Sequence, residues 1–188
     1  LFFWKWSFQK SMKELQKTTS IFIEKVSCHQ HIKNTLLEKI DKCDGGPLHG
    51  VSKTDWNEPW EKRAEYWNYF FSFIHPYITN ITMRLGKTDF KVVGQWYQQY
   101  YKNSKHGWHV HFRNQEDDEH PNGFAAVYFI ELSDGLGTEF IGYPKIEYEE
   151  GDLVFFPSYL PHRSPINLTD KRKTVIAFNV NIGDKNDL

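Results

Sequence analysis

Apolar side chains recur at helical spacing in two segments of the first half of the chain. The earlier segment contains Ile32, Leu36, Leu37 and Ile40, and it stops before the turn-forming run Asp-Gly-Gly-Pro at 44–47. Residues three and four positions apart share one face of a helix, so this pattern predicts an amphipathic helix that ends at the turn.

A longer apolar stripe predicts a second helix. Pro59 suits the first turn of this helix, and Gly86 is a natural stop. Pro76 lies inside the segment and is expected to kink or divide the helix, because its nitrogen cannot donate a backbone hydrogen bond. We interpret the stripe as part of the core rather than as a cofactor contact. Its members are spaced by three or four residues: Trp60, Ala64, Trp67, Phe71, Ile74 and Ile78.

From Phe90 onward the chain consists of short runs rich in Val, Tyr, Phe and Ile, separated by Gly, Pro, Asn and Asp. β-Branched and aromatic residues favour strands, and the intervening residues are typical of turns. This half of the sequence therefore predicts a succession of strands without helices. The predicted strands are 91–101, 107–112, 124–132, 138–141, 146–149, 152–156 and 173–180.

Helices followed by many short strands predict an α+β fold, in which the helices cover one face of a sandwich or barrel. The chain has 188 residues, of which 39% are hydrophobic and 17% aromatic, and this is enough for a sizeable core. We expect a single domain over 1–188, with 1–89 as mainly helical support and 90–188 as the β-barrel core.

Charge and composition exclude several classes of function. The chain carries 23 basic and 24 acidic side chains, a formal net charge of −1, so we expect no footprint for nucleic acid or anionic lipid. No apolar stretch approaches the roughly 20 residues that cross a bilayer, and Lys5 interrupts the aromatic run 1–8, which lacks a signal-peptide layout. A soluble, cytoplasmic protein is expected. Cys28 and Cys43 are the only cysteines, and both are expected to be reduced.

Two histidines are spaced to bind one metal ion. His109 and His111 occupy positions i and i+2, which share one face of a strand. The same spacing at His29 and His31 provides an internal comparison, because those residues begin a predicted helix, where i and i+2 do not face each other. A His-x-His pair also suits two solvated histidines, so the spacing alone does not establish a metal site.

A third histidine, His162, ends the run GDLVFFPSYLPH at 151–162. A glycine turn leads into an apolar strand, and prolines restrict the chain on both sides of its end. This arrangement can deliver His162 to the His109/His111 pair across the mouth of a barrel. The alternative is a hydrogen-bonded histidine in a proline-rich turn.

Lys173 opens the last predicted strand. If its side chain points inward, the period of two turns Val175, Ala177 and Asn179 inward as well, and these small residues leave a cavity beside the cation. Such a cavity suits an anionic, chelating ligand. Arg172 is the rival anchor and offers a bidentate fork, but it is expected to face the other side of the strand.

Together these segments resemble the Fe(II)- and 2-oxoglutarate-dependent dioxygenases, in particular the prolyl-hydroxylase-like branch with its phage and bacterial relatives. The similarity lies in HVH at 109–111, VYFIEL at 127–132, GDLVFFPSYLPH at 151–162 and KTVIAFN at 173–179. It implies a double-stranded β-helix, a jelly-roll or cupin-like barrel, backed by N-terminal helices. It also implies an oxidoreductase that uses Fe(II), 2-oxoglutarate as cosubstrate and O2, and that hydroxylates an unidentified substrate with release of succinate and CO2.

By this resemblance, His109, His111 and His162 hold the iron, while Lys173, or Arg172 in its place, pairs with the far carboxylate of 2-oxoglutarate. The family has Asp or Glu where this chain has His111, since the usual ferrous site is two histidines and one carboxylate. Either three imidazoles bind the metal, or an acid from the next segment supplies the missing oxygen ligand. The acids in question are Glu116, Asp117, Asp118 and Glu119.

Further roles and alternatives stay open. Tyr97, Tyr100 or Tyr128 can hydrogen-bond the cosubstrate, with Tyr100 as the candidate named for cofactor binding, although barrel packing explains all three equally well. No catalytic residue is predicted beyond the metal ligands. HVHFRNQE also matches a cupin pattern that uses Glu116 and Gly123. A cupin-type metal enzyme that does not use 2-oxoglutarate, or a non-catalytic ligand-binding barrel, is therefore the alternative, and the substrate is a small molecule or a peptide side chain.

Overall fold

The computed structural model describes residues 21–111, 123–134 and 136–185. Two helices and ten strands lie in these ranges. The helices are α1 (His29–Asp41) and α2 (Trp60–Arg84). The strands are β1 (Phe22–Lys25), β2 (Gly46–Leu48), β3 (Val51–Thr54), β4 (Asp89–Tyr100), β5 (His106–His109), β6 (Gly123–Glu131), β7 (Glu139–Phe140), β8 (Asp152–Pro157), β9 (His162–Ser164) and β10 (Lys173–Gly183).

The strands form two sheets. The large sheet has the order β1-β8-β6-β10-β4-β3-β2, and the small sheet has the order β5-β9-β7. Every pairing in both sheets is antiparallel. Strand β10 lies at the centre of the large sheet, between β6 and β4, so the strand that begins at Lys173 is paired on both edges.

Alternation along β10 divides the core into two layers. Ile176 and Phe178 point to the face covered by the helices, where they join a cluster that includes Ile32 of α1 and Ile74 of α2. Val175, Ala177 and other residues of the opposite face belong to a second cluster, which also contains Phe140 of the small sheet. The predicted alternation is confirmed, because successive strand residues face opposite sides of the sheet.

A buried carboxylate fixes α2 against the large sheet. Asp55 is 1% exposed, and it accepts hydrogen bonds from the Tyr66 hydroxyl of α2 at 2.7 Å and from the backbone N–H of Tyr97 in β4 at 2.9 Å. Burial raises the pKa of Asp55 from 3.8 to about 6, and the two hydrogen bonds oppose that rise. The segment before α2 is therefore bound to both layers by one side chain.

Several predictions on the fold were wrong. Three short strands in the first half were not predicted, namely β1, β2 and β3. Pro76 does not divide α2, which runs through it without a break. Residues 146–149 are not a strand, and β9 was missed because it is only three residues long. No helix among the described residues is long and apolar enough to span a membrane.

Candidate metal centre and adjoining cavity

Pairing within the small sheet brings the three predicted histidines together. His109 ends β5 and His162 begins β9, and the two residues are direct partners in the antiparallel register. His111 follows β5, and its backbone N–H donates to the Ser158 carbonyl at 2.9 Å. One potential ligand nitrogen from each of the three rings lies within 4.8 Å of the other two. Residues 53 positions apart in the chain therefore share one centre.

Each of the three rings has an oxygen at its Nδ1 atom. The acceptors are the Gly107 carbonyl for His109 at 2.8 Å and the Leu160 carbonyl for His162 at 2.9 Å. For His111 the partner is the Asn179 side-chain oxygen at 2.5 Å. A carbonyl oxygen can only accept, so the ring proton of a neutral imidazole is held on Nδ1 and the lone pair is left on Nε2. Three Nε2 lone pairs are thus free to bind a metal ion.

Burial keeps these imidazoles neutral. It lowers the pKa of His162 from 6.5 to about 3 and that of His111 to about 4, and the pKa of His109 is also lowered. Desolvation is the main cause in each case, because the charged imidazolium loses its hydration inside the protein. At neutral pH the three rings are therefore unprotonated at Nε2, the state that metal binding requires.

A narrow cavity joins this centre to Lys173. Its lining includes the three histidines together with Val175, Ala177 and the ammonium-bearing side chain of Lys173. The cavity measures about 30 Å³, which is room for a water-sized guest. A larger ligand fits only after some of the lining side chains rotate. The inward orientation and the small neighbours proposed for Lys173 are both found here.

Lys173 is a buried cation without a counter-ion among the described residues. Only 2% of it is exposed, and its ammonium group donates to the Ser164 hydroxyl at 2.8 Å and to the Gly137 carbonyl at 3.3 Å. The rings of Tyr100 and Phe129 lie 5.0 and 5.4 Å from the nitrogen. Burial lowers the pKa of Lys173 from 10.5 to about 7. A charge held in this way is costly until an anion pairs with it.

The structure separates the remaining candidates. Arg172 does not line the cavity: its guanidinium pairs with Glu131 at 2.7 Å and Asp41 at 2.8 Å, so the suggestion that it anchors a cosubstrate is corrected. The reason is the strand period, which turns adjacent residues to opposite faces. Tyr100 lines the cavity. The acids at 116–119 lie outside the described residues.

Two other tyrosines that were considered belong to the helix-facing core. Tyr97 donates to the Asp44 carbonyl at 3.0 Å, and the hydroxyl of Tyr128 lies 2.7 Å from the His29 Nδ1. His29 is thereby engaged away from the three-histidine centre, at the start of α1. Neither tyrosine lines the cavity.

Sequence reasoning missed several residues that line the cavity, among them His106 and Gln98. His106 stacks on His109 with 3.9 Å between ring centroids, and Gln98 approaches the His106 Nδ1 at 3.4 Å. Alternation with Trp96 and Tyr100 along β4 was a usable signal for Gln98. His106 stands three positions before His109, and residues at this spacing face opposite sides of a regular strand. An irregularity in the β5–β9 pairing brings the two side chains to the same face.

Solved structures with the same fold were found by comparison. The viral collagen prolyl hydroxylase of Paramecium bursaria Chlorella virus-1, in a 2-oxoglutarate complex, is 14% identical with a TM-score of 0.58, covering 87% of this chain and 97% of that chain. HygX from Streptomyces hygroscopicus, with nickel and 2-oxoglutarate bound, is 10% identical with a TM-score of 0.62, covering 89% and 85%. A Pseudomonas putida prolyl-4-hydroxylase is 14% identical with a TM-score of 0.57, covering 88% and 94%.

At these identities the likeness establishes a shared fold, and fold alone does not determine chemistry. No protein-family model matches the sequence, and no curated protein matches it significantly.

Proposed function

We propose that this protein is a non-haem Fe(II)- and 2-oxoglutarate-dependent oxygenase whose two sheets form a double-stranded β-helix. It would hydroxylate a small molecule or a peptide side chain and release succinate and CO2, in the cytoplasm. One observation carries the proposal: a buried ammonium that has no counter-ion among the described residues lines the same cavity as three neutral imidazoles. That combination matches a ligand that chelates a metal at one end and carries a negative charge at the other.

The donor set fits a ferrous ion. Imidazole is a good ligand for iron, and the Nδ1 hydrogen bonds fix the tautomer and the orientation of each ring. His109, His111 and His162 would hold the ion, with His111 standing where the usual site has a carboxylate. A bound iron would supply the oxygen-activating chemistry. Three neutral ligands leave the full charge of the ion in place, and this favours an anionic cosubstrate.

The rest of the cavity supports the assignment of 2-oxoglutarate. Lys173 would pair with the far carboxylate, and Tyr100 and Ser164 stand beside its ammonium group as further hydrogen-bonding groups. Buried apolar residues around them keep water away and strengthen that ion pair. Since the cavity of about 30 Å³ is smaller than a five-carbon dicarboxylate, binding would be accompanied by rotation of lining side chains.

The decisive experiment measures metal and cosubstrate separately. The purified protein is loaded with Fe(II) under nitrogen, titrated with 2-oxoglutarate, and then exposed to O2 while succinate is measured. Succinate formation without added substrate, as slow uncoupled turnover, is the expected result. Stoichiometric iron with no succinate and no 2-oxoglutarate binding would favour the cupin-type alternative. The three-imidazole donor set also fits that alternative. Absence of both would leave a non-catalytic barrel.

Two variants assign the residues. Lys173→Ala should weaken 2-oxoglutarate binding by about 100-fold or more and leave the metal dissociation constant nearly unchanged, since a charged, buried hydrogen bond is lost. Lys171→Ala is the matched control, because it removes the same charge from a surface pair with Asp134. His162→Ala should abolish ferrous binding, and retained stoichiometric iron would remove His162 from the ligand set.

A further inference from the structure

A chain of hydrogen bonds crosses the cavity from Lys173 to His106. The Lys173 ammonium donates to the Ser164 hydroxyl at 2.8 Å, and Ser164 hydrogen-bonds the phenol of Tyr100. The Tyr100 hydroxyl donates to the side-chain oxygen of Gln98 at 2.8 Å, and the Gln98 amide nitrogen lies 3.4 Å from the His106 Nδ1. Five side chains thus connect the buried cation to the ring that stacks beside the metal centre.

The direction of this chain is fixed at its first member. An ammonium group can only donate, so the Ser164 oxygen accepts from Lys173 and its own proton is directed onward to Tyr100. Tyr100 then donates to the Gln98 oxygen, which turns the amide N–H₂ toward His106. An amide nitrogen is a donor only, so the His106 Nδ1 must accept. The ring proton of a neutral His106 is therefore on Nε2.

This tautomer is the opposite of that of the three converging histidines. His109, His111 and His162 each face an oxygen through Nδ1 and keep a lone pair on Nε2. His106 instead offers an N–H donor, although it lies beside His109 and lines the same cavity. It is therefore poorly suited to bind the ion itself and well suited to bind an oxygen of a ligand on the ion.

We propose that His106 donates its Nε2–H to a carboxylate oxygen of the cosubstrate at the metal end of the cavity, and that Gln98 is the positioning residue that holds this tautomer. The proposal rests on the function proposed above and deepens it. The two ends of a dicarboxylate would then be bound by opposite ends of one hydrogen-bond chain, with Lys173 at the far carboxylate. Such an arrangement selects a ligand with two anionic ends of the right separation over a monocarboxylate.

The tautomer can be tested on the metal-free protein. Ring ¹⁵N chemical shifts distinguish Nδ1–H from Nε2–H, and we expect His106 to be Nε2–H while His109 is Nδ1–H. Gln98→Glu replaces the donating amide with an accepting carboxylate of the same shape, so Nδ1 of His106 should become protonated. Gln95→Glu is the matched control, because Gln95 lies on the same strand but its side chain is on the opposite face of the sheet. A wild-type His106 in the Nδ1–H form, or one unchanged by Gln98→Glu, would overturn the proposal.

The donor role is tested by binding, with Mn(II) as the metal and N-oxalylglycine as an unreactive analogue of 2-oxoglutarate. His106→Phe keeps an aromatic ring against His109 but has no N–H, and it should weaken the analogue by about tenfold or more while the Mn(II) dissociation constant changes less than about threefold. His106→Gln restores a donor and should recover most of the affinity. A merely structural role for the ring predicts the opposite order, because Phe keeps the aromatic contact with His109 and Gln removes it.

The outcomes separate this inference from the proposed function. If the wild-type protein binds the analogue and His106→Phe binds it equally well, the role of His106 is refuted and the oxygenase proposal stands. If the wild-type protein with Mn(II) does not bind the analogue at all, the proposed function fails and this inference fails with it.

Discussion

Replacing Lys173 with Met is expected to stabilise the metal-free protein while removing its capacity to bind an anionic cosubstrate. The structure places the ammonium group in an interior site with two neutral hydrogen-bond acceptors and no acidic partner among the described residues. Methionine has nearly the same length and volume and carries no charge, so it can occupy the same space with little repacking. Opposite effects on stability and on binding are the signature of a charge kept for function.

The magnitude follows from the pKa of Lys173. At ~1.4 kcal/mol per pKa unit, lowering the pKa from 10.5 to about 7 costs the folded protein on the order of 5 kcal/mol at pH 6, where the group is charged in both folded and unfolded chains. Losing the hydrogen bonds to Ser164 and Gly137 offsets ~1–3 kcal/mol of this. We therefore expect the free energy of unfolding to rise by ~2–4 kcal/mol at pH 6.

The sign of the pH dependence gives a second check. The folded-state pKa lies below the unfolded-state value, so the folded protein binds fewer protons between about pH 7 and 10.5, and wild-type stability rises with pH in that window. The advantage of the Met variant should therefore shrink by ~3 kcal/mol between pH 6 and pH 9.

Urea unfolding at both pH values measures these quantities. Lys171→Met is the control, because that exposed lysine pairs with Asp134 on the surface and its removal should change stability by less than ~0.5 kcal/mol at either pH. If the Lys173→Met protein is less stable than wild type at pH 6, or if its effect is the same at pH 6 and pH 9, the interpretation of Lys173 as an uncompensated buried cation is refuted.

Three further variants test other contacts. Asn179→Leu removes the oxygen at the His111 Nδ1 and should weaken Fe(II) or Zn(II) binding by about 10- to 100-fold in a chelator competition assay; unchanged affinity would contradict a role in orienting the ring. Asp55→Asn should abolish the pH-dependent contribution of Asp55 to the free energy of unfolding. The pKa of Asp55 is raised to about 6, so its stabilising contribution is full below about pH 4 and is lost as the pH rises through 6. Parallel plots of stability against pH for the wild type and the variant would exclude this contribution. Gly137→Ala places a methyl group on the ring of Tyr148 and should lower the unfolding free energy by ~1–3 kcal/mol in urea titrations, whereas wild-type stability would show that the ring yields freely.

Periodicity predicted the parts of the fold that local spacing controls. The stripe from Trp60 to Ile78 gave α2, and alternation along β10 placed Lys173 and Val175 on the cavity side and Ile176 on the helix side. These features depend only on residues close together in the chain, so one sequence contains enough information for them.

Other features depend on long-range pairing, and a single sequence does not specify it. β1 is only four residues long and is held by its pairing with β8, more than 120 positions away. The run 146–149 has strand-forming residues but pairs with no strand among the described residues. Likewise, the contact of Gln98 with His106 depends on how β4 and β5 come together, and neither local spacing nor residue type predicts this contact.

The register of the small sheet has a consequence for the maturation of the protein. The three imidazoles meet only when β9 has paired with β5, and β5, β9 and β7 are four, three and two residues long, too short to persist as an isolated sheet. A nascent chain that has not yet emerged as far as residue 162 has no complete coordination set. Metal binding would therefore come late in biogenesis, and a chain that holds metal would be one in which β5 and β9 have already paired.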